Sequence, residues 1–426
     1  MKRYSEYKDS GVKWIGEIPG HWKMPKLNRV VSKVGSGSTP RGGSEVYIDE
    51  GIKFLRSQNI HFEGLNLDSV VYIPDSINEQ MKNTQVQPFD VLLNITGGSI
   101  GRCFYVDDTL GKANVNQHVC IIRPLSVNYR FLKYFLQSNS GQSQVWFYQK
   151  GDREGLSAES IKTFRLPLPP LPEQQAIVTY LDTKVAKIDE YISIAEKKIA
   201  ALEELRQTII AEAVTRGIHK DVPMKDSGVK WIGMIPEHWK VNKIRSHFKE
   251  RRVKVSDKDF QALSVAKIGI VPQLEDACKT DNGDNRKQVL KGDFVVNSRS
   301  DRKGSCGISP LDGSVSLINI VLRPFNILQE YVHYLFRSHN YIEEFYRNGR
   351  GIVADLWTTR YSEMRNIQIP VPPLSEQQEI VTYIEAKVAN INQLCQAERS
   401  QIEKLKEYKQ RLISDVVTGK VKVTND

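Results

Sequence analysis

The sequence predicts an α+β protein written twice: two globular modules of mixed α and β structure joined by two long helices, which form an antiparallel coiled coil with pseudo-twofold symmetry if the modules sit at opposite ends. Three observations predict it. Lys8-Asp9-Ser10-Gly11-Val12-Lys13-Trp14-Ile15-Gly16 recurs residue for residue as Lys225-Asp226-Ser227-Gly228-Val229-Lys230-Trp231-Ile232-Gly233. Each half closes on a Pro-Pro segment, Leu168-Pro169-Pro170-Leu171-Pro172-Glu173-Gln174-Gln175 and Val371-Pro372-Pro373-Leu374-Ser375-Glu376-Gln377-Gln378. A long helical pattern follows each closing segment.

The repeat sets the domain count. Both opening copies continue through Ile-Pro and His-Trp-Lys, at Ile18-Pro19 with His21-Trp22-Lys23 and at Ile235-Pro236 with His238-Trp239-Lys240. Two copies of this length mean two modules with a core each, whereas a solenoid repeats every 20 to 50 residues. The opening segments lie 217 residues apart and the closing ones 203, so the first body is 14 residues longer. Between the markers the halves diverge, although Ile122-Arg123-Pro124 still answers to Leu322-Arg323-Pro324. The expected boundaries are 1–171 for the first body, 172–217 for the first helix, 218–374 for the second body and 375–426 for the second helix and tail.

Within the bodies, Val70–Ile73, Val91–Ile95, Cys120–Ile122, Phe294–Val296 and Ile318–Val321 read as strands, and Tyr129–Ser138 and Glu330–Ser338 as short helices. In the first long helix the apolar seam is Ile177, Leu181, Val185, Ile188, Ile192, Ala195, Ile199, Leu202 and Ile209. In the second it is Ile380, Ile384, Val388, Ile391, Cys395, Ile402, Leu405 and Leu412. Steps of three, four and seven mark a heptad seam, and a lone helix cannot bury such a stripe. Each helix therefore pairs with its duplicate or packs on its own module. Pro172 and Glu173 suit a helix start, and Gly217 and Gly419 a stop. Roughly 40 residues at 1.5 Å each give a helix of about 60 Å.

Composition narrows the class. The 426 residues are 40% hydrophobic and 26% charged, which fits a folded globular protein. No run approaches a membrane span, and Met1–Glu6 lacks the apolar core of a secretory signal, so an intracellular chain is expected. Cys103, Cys120, Cys278, Cys306 and Cys395 are scattered and never paired as C-x-x-C, which predicts buried thiols. The charge of +10 leans toward a polyanionic partner.

Catalytic signatures are missing. Gly98-Ser99-Ile100-Gly101-Arg102 and Gly111-Lys112-Ala113 fail as phosphate loops, Gly35-Ser36-Gly37-Ser38-Thr39-Pro40 fails as a dinucleotide fingerprint, and no two of the eight histidines stand at i, i+4. Matched polar loops follow a strand in each half instead: Asn94, Thr96, Gly98, Ser99 and Arg102 in the first, Asn297, Ser298, Arg299, Arg302 and Lys303 in the second. Similar chemistry recurs at Arg56, Gln58, Asn59, Asn116, Gln117 and Lys150, and at Arg251, Arg252, Lys254, Arg347 and Arg350. Arg can take guanine O6/N7, Asn and Gln can take adenine N6/N7, and Gly lets the backbone approach phosphate. Each residue taken singly also fits a solvated turn.

The Trp-Ile-Gly-x-Ile-Pro-x-His-Trp segments, the two Pro-Pro closing segments and the helices after them resemble the specificity subunit of type I restriction-modification enzymes. The resemblance covers essentially the whole chain. It implies two target-recognition domains, each reading half of a bipartite double-stranded DNA site. It also implies a helical spacer docking two methyltransferase subunits, through Leu181, Val185, Ile188, Ile192, Ile199 and Leu202 with Ile384, Val388, Ile391, Ile402, Leu405 and Leu412. Two restriction/translocase subunits would join that complex, so that host DNA is methylated and foreign DNA cleaved. This chain would itself be non-catalytic and hold no cofactor or metal; S-adenosylmethionine, ATP and Mg would sit in the partners. A prokaryotic cytoplasmic, nucleoid-associated location follows, with no membrane partner. Because the bodies differ, the half-sites should differ, about one helical turn apart. A fused enzyme and a protein-only scaffold are the competing readings.

Overall fold

The computed structural model describes residues 2–149, 155–273, 283–351 and 357–423. It divides into two compact units, Met1–Ala195 with Ser400–Asp426, and Glu196–Arg399. Each unit takes the start of one long helix and the end of the other.

The same sheet stands in both units. In the first, the strand order is Val31–Ser36, Val119–Pro124, Val91–Asn94, Cys103–Tyr105, antiparallel throughout. In the second it is Phe248–Glu250, Asn319–Pro324, Phe294–Asn297, Cys306–Ile308, again antiparallel. The central strand Val91–Asn94 is apolar without alternation because both of its faces are covered. Val91 and Leu93 point into one apolar cluster and Leu92 into another. Phe294 and Val296 part from Val295 in the same way.

The halves part in the smaller three-stranded sheets. Ile52–Leu55 runs antiparallel to Val71–Ile73 and parallel to Ala113–Val115. Its counterpart, Lys254–Val255, Arg286–Val289 and Gly313–Val315, is antiparallel throughout. A hairpin, Leu263–Ala266 with Gly269–Pro272, is added in the second unit.

Helices Tyr129–Gln137 and Gln329–Arg337 lie at the places the sequence gives them, and each buries an apolar face on its main sheet's core. The Glu-Gln-Gln motif now has a physical reason. Gln174 is buried; its Oε1 accepts from Asn128 N at 2.8 Å and its Nε2 donates to Pro169 O at 2.8 Å. Gln377 does the same between Leu328 N at 2.7 Å and Pro372 O at 2.8 Å. Each glutamine ties the short helix to the start of a long one.

The long helices span Leu171–Arg216 and Leu374–Val417. Every seam residue named above is buried or half-buried. In the second unit Lys198 meets Glu398 at 2.5 Å, and Arg206 Nη1 donates to Asn392 at 3.3 Å. Partner numbers fall as the first helix advances, so the helices run antiparallel there. In the first unit Lys409 holds Asp189 at 2.7 Å, and Ile177, Leu181 and Ile188 share a core with Leu412, Ile413 and Val416. That core also contains Trp22 and Phe131, so the seam packs on the module as well as on the partner helix. Gly217 and Gly419 end the helices with φ of +76° and +73°. A Cβ on Gly419 would fall 2.3 Å from Pro19, so only glycine closes that turn.

Cys103, Cys120, Cys306 and Cys395 are buried free thiols, and burial pushes the first three up to about 12. Cys278 lies outside the described residues. Among the described residues, no helix is long and apolar enough to cross a membrane, and no group of three acidic, His or Cys side chains is placed to hold a metal ion.

Candidate nucleic-acid interface

The loops after the central strands start alike. Asn94 and Asn297 end those strands, and two residues later Thr96 bridges Gly155 while Arg299 bridges Thr358, just ahead of the short helices Ala158–Lys162 and Tyr361–Met364. A turn of 3-10 helix follows, Gly97–Ser99 in one unit and Ser300–Arg302 in the other.

Several of the polar residues singled out from the sequence face inward and shape these loops. Asn94 is fully buried, and its Nδ2 donates to Ser57 O at 2.8 Å and Ser99 Oγ at 3.1 Å. Asn297 Oδ1 accepts from Arg299 N at 3.1 Å, and buried Ser298 donates to Ile318 O at 2.6 Å. Asn59 is fully buried and spans Arg56 N and Asn66 O, both at 2.9 Å. Asn116 Oδ1 accepts from His118 N at 3.2 Å. Arg251 is bidentate on buried Asp293, at 2.7 and 3.1 Å, and that hydrogen-bonded carboxylate raises the guanidinium pKa further. Buried polar groups need partners, and apart from Asn94 Oδ1 these side chains find theirs within the fold.

The rest reach the surface. Gly98, Gln58, Gln117, Arg252, Lys254, Arg299, Arg302, Lys303, Arg347 and Arg350 are exposed, and Arg56, Thr96, Ser99 and Arg102 are half-exposed. Arg56 and Gln58 both hydrogen-bond Ser69, at its carbonyl and hydroxyl. Arg252, Arg302, Lys303, Arg347 and Arg350 lie in ion pairs with Glu250, Asp301, Glu343, Glu344 and Glu363. The pairs with Asp301 and Glu343 are exposed at both ends, and such pairs are worth little. Lys150 lies outside the described residues.

The sequence profile described as type I restriction modification DNA specificity domain matches residues 19–204 and 241–404, one stretch in each half. The chain belongs to this family. It is the specificity subunit of a type I restriction-modification enzyme, and its work is DNA sequence recognition. It is similar to the putative type I restriction enzyme MjaX specificity subunit of Methanocaldococcus jannaschii, at 23% identity over 96% of each chain. The type I restriction enzyme EcoKI specificity subunit of Escherichia coli K12 is 20% identical over 95% of this chain and 90% of its own. In fold it resembles a chain from a solved type I R-M system, with a TM-score of 0.69, 16% identity and coverage of 95% and 99%. The crystal structure of the HsdS subunit from Thermoanaerobacter tengcongensis gives a TM-score of 0.53 at 17% identity, covering 95% and 98%.

In this specificity subunit a cleft of about 490 Å³ opens in the second unit between the strand Phe248–Glu250, the start of the Arg299 loop and the turn before Asn319. It gathers Arg252 and Arg299, and adds two cations that the sequence reading passed over, Lys287 and Arg360. Their signal was weak. Lys287 sits in a short strand, Arg286–Val289, with one apolar residue, and Arg360 is one basic residue ahead of a four-residue helix.

Two further titratable groups also escaped the sequence reading. Lys133 is buried beside Phe104 and Tyr134, its Nζ 5.1 and 4.5 Å from the ring centroids, and burial pushes it down to about 8. His333 holds the matching place in the second half, where burial pushes it down to about 4.

Proposed function

We propose that this specificity subunit reads an asymmetric, bipartite site on double-stranded DNA, one half per unit, while two copies of a methyltransferase subunit dock on its helices. One observation carries the reading. Apart from the seam, the long helices show outward apolar side chains at matching places: Tyr191 and Leu205 on the first, Leu394 and Tyr408 on the second. A step of 14 residues is nearly four whole turns, so each pair lies on one helix face. Tyr191 and Leu394 are 61% and 48% exposed, Leu205 and Tyr408 48% and 46%. Exposed apolar rows are interaction surfaces, and a row repeated by the duplication fits two copies of one partner. The seam residues themselves, Leu181 to Leu202 and Ile384 to Leu412, hold the helices together.

The DNA faces are the exposed loop residues named above. Asymmetry of the site follows from the different contents of the two loops on one frame. On this reading the chain is non-catalytic and binds no cofactor. Methylation with S-adenosylmethionine and cleavage driven by ATP and Mg belong to the methyltransferase and two restriction subunits, in a prokaryotic cytoplasm at the nucleoid. The domain limits 1–171, 172–217, 218–374 and 375–426 belong to the same proposal.

The test is methylome sequencing of cells expressing this chain with a methyltransferase subunit. One new asymmetric split motif, lost when this chain is omitted, is the expected result. An active methyltransferase that marks a continuous motif, or marks the same motif without this chain, would overturn the reading.

A further inference from the structure

The second unit's cleft and the matching place in the first unit differ in chemistry position by position. Strand registers and loop starts align Glu250 with Val34, Arg299 with Thr96, Leu317 and Ile318 with Gln117 and His118, and Arg360 with Ser157. In the second unit Glu250 is nearly buried at the floor, neutralised by Arg252 at 2.6 Å and Lys287 at 3.5 Å. Arg299 and Arg360 are exposed and have no hydrogen-bond or ion-pair partner for their guanidinium groups among the described residues. Beside them Leu317 and Ile318 are each 40% exposed. An apolar rim beside a guanidinium that only water solvates fits a base edge, where arginine donates twice and aliphatic carbon meets a neighbouring methyl group or sugar.

The first unit offers neither positive charge nor apolar rim at those places. Thr96 Oγ1 lies 2.6 Å from His118 Nδ1, and Gln117 Nε2 lies 2.9 Å from His118 Nε2. One neutral tautomer satisfies both contacts: Nδ1–H donates to Thr96, and Gln117 donates to the bare Nε2. Gln117 keeps its carbonyl and one amide hydrogen for the outside, an acceptor and a donor side by side. That pair matches adenine N6–H and N7, whereas the guanidinium, a donor only, matches guanine N7 and O6.

We infer that these two places are the base-reading positions of the chain, with Arg299 reading a guanine in one half of the site and Gln117 an adenine in the other. The inference rests on the proposed split-site reading and narrows it to a base for each unit.

The experiment uses the full chain with its methyltransferase partner and the split site defined by methylome sequencing. Single guanines are replaced by 7-deazaguanine and single adenines by 7-deazaadenine, which lack the N7 acceptor. For the unsubstituted chain, one 7-deazaguanine in one half should weaken binding about ten-fold, and one 7-deazaadenine in the other half by a comparable factor. Arg299→Ala should erase the first penalty and leave the second; Gln117→Ala should do the reverse. Penalties that persist in the variants, or that both fall in one half, overturn the inference while leaving the split-site reading intact. So does an Arg299→Ala chain that binds every duplex equally more weakly with a salt slope lower by about one, because that marks a phosphate contact. If Arg299→Ala does not fold, Arg299→Met, which keeps the length of the side chain but has no donor for N7, gives the same comparison. Absence of any split motif in the unsubstituted complex instead refutes the proposed function.

Discussion

Arg123 grips Asp90 through Nε and Nη2, each 2.8 Å from one carboxylate oxygen, with the carboxylate fully buried at the edge of the central strand. The second half makes the same pair from a different strand. Asp293 stands where Asp90 does, and its partner Arg251 follows the strand Phe248–Glu250, whereas Arg123 lies within Val119–Pro124. Both carboxylates also accept a backbone N–H, from Gln87 at 2.7 Å and Leu290 at 2.9 Å. The duplication kept the buried acid and exchanged the source of the cation.

Arg251→Ala should therefore act on stability and not on sequence choice. Removing one member of a buried pair costs about 3–5 kcal/mol, because the other charge is left without a partner. Replacing Asp293 by Asn as well should recover part of that loss. Urea unfolding of the two variants checks this. A stable Arg251→Ala chain with altered target letters would show that Arg251 faces DNA after all.

The contrast between Arg251 and the seam residues shows what sequence can reveal. Ile188 and Ile391 were legible because heptad spacing is local and burial follows from it. Whether a polar residue points in or out depends on partners far along the chain. Asn94 and Thr96 are two residues apart in one loop, yet Asn94 is buried on Ser57 and Thr96 is half-exposed beside His118. Lys287 and Arg360 escaped for the same reason, since only the fold brings them to one cleft with Arg299.

The outward helix rows give a stoichiometric prediction. Tyr191→Asp alone should cost the complex one methyltransferase copy, and Tyr191→Asp with Leu394→Asp should cost both. Exposed positions of this kind change the chain's own stability by only about 0.5 kcal/mol. Native mass spectrometry of the co-expressed complex counts the copies. Two copies retained in the double variant would place the docking surface elsewhere.

The length of the first helix yields a second. Inserting four residues between Ile192 and Ile199 adds about 6 Å of helix. The methylated motif should then keep the letters of both halves and change the number of unspecified base pairs between them. An unchanged spacer with full methylation would contradict a helix acting as a ruler.

His333 and Lys133 make pH predictions of one sign in two separate pH windows, from one position in the duplicated fold. His333 is held at about 4 by burial, below its ordinary value of 6.5, so between those values the unfolded chain binds a proton that the folded unit does not. Stability of the second unit is full above pH 6.5 and declines as pH falls toward about 4, by on the order of 2–3 kcal/mol. Lys133 is held at about 8, below 10.5, so its folded form carries the desolvation cost throughout neutral pH and sheds it as pH rises from about 8 to 10.5. His333→Phe should flatten the acid limb of a denaturation midpoint plotted against pH, and Lys133→Met should raise the midpoint near pH 7 while losing its gain at pH 10. An acid limb that stays as steep in His333→Phe would assign the loss to other groups, because no other change in that variant alters proton binding between pH 4 and 6.5.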